Sequence, residues 1–114
     1  MSQTQSQVSY TFTPDSSTDI NGAFFLTHLD NITIEQVAEN FPSGVSKSPY
    51  YDPEKGYDGP EVLFRSTSGA NLYVYARWGM ARVGSTQDLS QEELASFISF
   101  LTRPAVEERM IHGC

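Results

Sequence analysis

The sequence predicts an α+β chain: a single two-layer domain in which helices pack on one face of an antiparallel β-meander. Three observations predict it. Two segments repeat apolar residues at helical spacing behind a capping pair. A central stretch alternates apolar and polar residues around two glycine turns. The 114 residues leave room for one hydrophobic core.

From the N-terminus, residues 1–7 are Ser/Gln-rich and have the composition of a flexible tail; the domain is expected over 8–112, with 113–114 as the C-terminal end. Val8-Ser9-Tyr10-Thr11-Phe12 alternates apolar and polar side chains, which predicts a short strand stopped by Pro14. Gly22 to Leu29 is short, aromatic and bounded by Asn21-Gly22 and Asp30-Asn31, so a strand is favoured over a helix. Thr33 and Gln36 stand at capping-box spacing; Ile34, Val37, Ala38 and Phe41 follow at helical intervals and Pro42 ends the run. Ser43 to Pro60 contains Pro49, Pro53, Gly56, Gly59 and Pro60 and reads as one long loop, of a length often functional or mobile.

Glu61 to Gly84 predicts three strands. Across Thr67-Ser68-Gly69-Ala70, a type I turn with a left-handed glycine pairs Val62 with Val74 and Phe64 with Leu72. The second turn, at Arg77-Trp78-Gly79, has two readings. A bulged turn puts Arg82 opposite Val74 on the core face, whereas a two-residue turn at Trp78-Gly79 pairs Arg82 with Tyr75. Turn chemistry favours the first; avoiding a buried unpaired arginine favours the second, which is adopted. Ser90 and Glu93 predict a capping box for a helix carrying Leu94, Phe97, Ile98 and Leu101. A further short helix is expected from Pro104, with Val106 and Met110 on one face.

The stretch Gly22–Gly84 resembles a group of small, functionally uncharacterised proteins of bacteriophages and related mobile elements. The residues that carry the resemblance are Thr33 to Phe41, the Val74-Tyr75 step and Arg82-Val83-Gly84. It departs from that pattern at Pro42, which follows Phe41 with no glycine between them, and at Trp78, which sits in the turn. The resemblance implies the α+β fold and a phage or mobile-element origin, and it implies no activity.

Fourteen acidic against seven basic residues give a formal net charge of −7, which repels nucleic acid and anionic membranes at long range and suits a protein partner with a basic surface. One cysteine, Cys114, excludes an intrachain disulfide framework, and no apolar leader opens the chain, so a cytoplasmic protein is expected, in the host cell if phage-encoded. The histidines are His28 and His112. Neither they nor Cys114 form a metal or nucleophile motif, and no phosphate loop occurs, so no cofactor, no metal site and no enzyme are expected.

Two groups are candidate binding residues. Tyr50, Tyr51 and Tyr57 interleave with acidic residues in the Pro/Gly loop, which suits a protein-binding surface. Arg65, Tyr73, Tyr75, Arg77, Trp78 and Arg82 gather basic and aromatic character on the meander. Arginine beside tyrosine can clamp an anion and stack on a planar group. The expected function is a non-enzymatic accessory protein acting through protein–protein binding, including inhibition of a host defence protein. The alternative is a protein that binds or sequesters a small anionic ligand such as a nucleotide, and self-association into a homo-oligomer is also considered.

Overall fold

A computed structural model describes residues 9–17, 20–48, 51–57 and 59–102. The expected N-terminal tail, the helix after Pro104, Tyr50, His112 and Cys114 lie outside the described residues. Among these residues, six strands and two α-helices follow in the order β1 (Phe12–Pro14), β2 (Phe24–His28), α1 (Ile34–Asn40), β3 (Val45–Lys47), β4 (Pro60–Ser66), β5 (Asn71–Arg77), β6 (Met80–Ser85) and α2 (Gln91–Thr102). The strands form one antiparallel sheet in the order β1-β4-β5-β6-β2, with β3 also on β4. Both helices cover the same face, which is the predicted α+β architecture.

The meander follows its predicted register. Val62 faces Val74 and Phe64 faces Leu72, so the even-numbered apolar residues of β4 and β5 share one face. Gly69 takes φ +96° after Ser68, as the bulged turn requires. The second turn is the two-residue form: Arg77 pairs with Met80 and Arg82 with Tyr75. Trp78 (φ 54°) and Gly79 (φ 81°) both adopt the left-handed region, which gives the twist that suits a tight hairpin. Packing thus decides this turn over local preference, because the two-residue form sends Ala81 and Val83 into the core and keeps Arg82 out of it.

That core is built from Val62, Phe64, Leu72, Val74 and Val83 of the sheet, Ile34 and Val37 of α1, and Phe97 and Leu101 of α2. Phe64 meets Phe97 at 5.1 Å and Phe41 at 5.3 Å, both edge to face. Phe64 and Phe97 are fully buried, and each contributes about 2–3 kcal/mol by area alone. Thr33 accepts from the Gln36 N–H (3.2 Å) and Gln36 Oε1 accepts from the Thr33 N–H (2.8 Å), so the box that starts α1 is complete.

Three expectations need correcting. The first strand is Phe12–Pro14 and contains the proline that was to stop it. An edge strand tolerates Pro14, and the ladder continues past it, since the Asp15 N–H donates to Leu63 O at 3.0 Å. The region 43–60 is not one loop: β3 pairs with β4, and a 3-10 turn at Pro53–Lys55 ends on left-handed Gly56 (φ 89°). At the start of α2, Ser90 Oγ accepts from the Glu93 N–H (3.0 Å), but the Glu93 side chain does not return to Ser90. It is buried instead, accepting 2.5 Å hydrogen bonds from both Ser66 Oγ and Ser68 Oγ of the first hairpin turn. A tertiary pair of hydroxyl donors outcompetes the local cap.

Candidate functional site

Alternation along β4, β5 and β6 sends Glu61, Leu63, Tyr73, Tyr75, Arg82 and Gly84 to the face away from the helices. On this face Tyr73 and Tyr75 are buried. Ile20 and Ala23 cover it from before β2, and Tyr57 covers it from the Pro/Gly loop, making a second, smaller core with Leu63. Tyr75 stacks on Tyr73 at 5.0 Å and lies near-parallel to Tyr57 at 6.1 Å. Gly84 makes this packing feasible: a Cβ there would overlap the Tyr73 ring, so only glycine lets that ring lie down across β6.

The loop is held over the face by its own backbone. The Asp52 N–H donates to Tyr57 O (2.7 Å), the Tyr57 N–H donates to Asp52 O (3.1 Å), and Asp52 Oδ1 accepts from the Glu54 N–H. The Trp78 N–H donates to Gly56 O at 2.8 Å, and the Trp78 indole lies so close over Gly56 that a side chain there would strike it. Arg77 completes the tie: Nε donates to Lys55 O (3.4 Å) while the guanidinium sits 4.6 Å above the Tyr57 ring.

Arg82 is placed beside Tyr75 on the same face, with its guanidinium 5.0 Å from the Phe25 ring centre. Its Nε is buried and meets no acceptor. Neither Arg77 nor Arg82 pairs with a carboxylate among the described residues; each rests on an aromatic ring. Burial pushes the Tyr75 hydroxyl above its usual range, while the charge of Arg82 pulls the other way. Between these groups lies a cavity of about 250 Å³ lined by Ala23, Phe25, Tyr57, Tyr73 and Tyr75. No protein-family model, curated protein or solved structure matches the chain.

The candidates of the two sequence groups therefore converge in part. Tyr57, Tyr73, Tyr75, Arg77 and Arg82 come together, with Trp78 (64 % exposed) at the rim. Arg65 stands apart, exposed and 3.3 Å from Asp15. The Asp15 carboxyl is held below its ordinary value mainly by hydrogen bonds from Ser17, with Arg65 a smaller cause. Tyr51 is also elsewhere, under the Lys47 ammonium at 5.3 Å. Sequence reading missed Phe25 and Ala23. The one signal available was Gly84 itself, since a glycine inside a strand marks a close approach.

Glu61 was also missed as a special residue. It is 1 % exposed, and the β4–β5–β6 register sets it in one row with Tyr75 and Arg82. Its Oε2 has no partner, and burial raises its carboxyl to about 8. At neutral pH the group is therefore mostly a neutral acid.

Proposed function

We propose that the chain is a non-enzymatic binding protein that takes a protein partner by strand addition at β2. The carrying observation is that β2 ends the sheet, with no strand beyond it among the described residues, while Phe24 (42 %) and Phe25 (44 %) stay exposed on it. The Leu29 N–H donates to Ala81 O, so by antiparallel alternation the N–H and C=O of His28 point to the open edge. An extended partner segment meets main-chain groups there, and the phenylalanines supply the apolar contact.

The opposite edge is poorly suited to such pairing. β1 and β3 have three residues each, and β1 contains Pro14. The bulge between Phe25 and Thr27 bends β2, which discourages long flat self-pairing and favours a short partner strand. The net charge of −7 speeds encounter with a basic partner. The resemblance to phage-borne proteins supports a host protein as that partner, with inhibition of a host defence system in the cytoplasm as the role.

The test is parallel capture from bacterial lysate on immobilised wild type and on His28→Pro, which removes an outward N–H without removing a ladder bond. A partner held by wild type and lost with His28→Pro, while circular dichroism is unchanged, supports strand addition. A partner retained equally by both refutes it.

A further inference from the structure

Taking strand addition at β2 as given, on which this rests, we infer that the received segment runs antiparallel to β2 and carries a lysine or arginine two residues before an apolar side chain. The cation is set beside Asp30 and the apolar group against Phe25. The bulge in β2 sets the spacing. Phe25 pairs with Gly84 and His28 with Arg82, so the extra residue brings side chains three apart in sequence to positions two apart on one face. A regular partner strand therefore meets His28 and Phe25 with residues i and i+2.

Charge sets which residue goes where. At one end of the edge, the Arg82 guanidinium lies 5.0 Å from the centre of the exposed Phe25 ring. A second cation is disfavoured there by like-charge repulsion, whereas an apolar side chain covers the open part of the ring. At the other end, Asp30 follows β2 with its side chain 83 % exposed and its carboxylate 3.5 Å from His28 Nε2. The main-chain groups of His28 point to the open edge, so a residue paired with His28 lies beside that carboxylate, within reach of a long basic side chain.

Direction sets the order along the partner. Antiparallel pairing continues the pattern of the sheet and is slightly more stable per residue than parallel pairing. It reverses the sequence order, so the partner's basic residue, opposite His28, comes before its apolar residue, opposite Phe25. The net charge of −7 attracts a cationic segment in either order; only the local contrast between Arg82 and Asp30 tells the two orders apart.

Two acetylated and amidated peptides of one composition provide the test: Thr-Thr-Lys-Thr-Ile-Thr-Thr, and Thr-Thr-Ile-Thr-Lys-Thr-Thr with the order reversed. Each is titrated at low salt into the full chain, and the amide resonances of Phe24 to His28 are followed by two-dimensional NMR. The first peptide should bind about threefold more tightly, the scale of one cross-strand ion pair. Asp30→Asn, which alters an exposed side chain, or roughly 1 M salt should bring the two peptides to equal affinity. Equal affinities on the wild type at low salt, or tighter binding of the reversed peptide, overturn the inference, while β2 shifts with both leave strand addition standing. A preference that survives in Asp30→Asn overturns it as well. If neither peptide shifts the β2 amides by about 10 mM, strand addition itself falls, and with it the proposed order.

Discussion

Replacing Glu61 by glutamine should stabilise the protein at neutral pH and flatten its pH dependence. The carboxyl stands at 4.5 when unperturbed and about 8 in the folded chain, because burial disfavours its charge. Between those values the unfolded chain is ionised and the folded chain holds the proton, so the folded state binds more protons and stability falls as pH rises. Below about 4.5 both states are protonated and the penalty vanishes; above about 8 both are ionised and it is complete. The values lie about 3.5 pH apart, and at 1.36 kcal/mol per pH the ceiling is ~5 kcal/mol. At pH 7 the corresponding figure is ~3 kcal/mol. Solvent screening and the extra amide N–H of glutamine, which costs about 1 kcal/mol unpaired, bring the expected gain for Glu61→Gln to ~2 kcal/mol. Urea denaturation at pH 5, 6, 7 and 8 reads this directly, since the midpoint multiplied by the slope gives each free energy. The wild type should lose stability across the series relative to the variant. A variant less stable than wild type at pH 7, or parallel curves for the two, would refute the reasoning.

Two further outcomes test the tertiary ties. Glu93→Ala leaves the buried Ser66 hydroxyl without its acceptor and should cost ~3 kcal/mol, while Glu92→Ala, exposed one residue earlier, should stay within about 0.5 kcal/mol by the same denaturation assay. Trp78→Asn suits the left-handed hairpin position better than tryptophan but removes the indole from Gly56. Its thermal midpoint should therefore move little, while trypsin cleavage after Lys55 should rise several-fold; unchanged cleavage would show that Trp78 does not hold the loop.

Much of the sheet was legible because its information is local. The alternation in β4 and β5 and the glycine at 69 specify the first hairpin without reference to anything distant. The same holds for α1, whose Thr33–Gln36 box is four residues long. What stayed hidden depends on residues far apart in sequence. Nothing near Tyr73 or Tyr75 announces that Ile20 and Tyr57 will cover them, so a face that alternation alone leaves open becomes a second apolar layer. Proximity in sequence pairs Glu93 with Ser90 as a cap, but its side-chain partners are Ser66 and Ser68, 27 and 25 positions away. Pro14 misled for a similar reason: whether a proline ends a strand depends on whether that strand lies on an edge, which only the assembled sheet decides. Of the site, the arginine–tyrosine character of the meander was readable. Its partition was not: Arg65 went to Asp15, whereas Arg77 and Arg82 went to rings.

The joint between Glu93 and the first hairpin also ties the seating of the second helix to the register of the sheet. A slip of one residue in the β4–β5 pairing would carry Ser66 to the wrong face and leave Glu93 facing the apolar layer without donors. The second helix therefore packs at full strength only on a hairpin in register. A single acidic side chain thus couples the accuracy of strand pairing to the closing of the core.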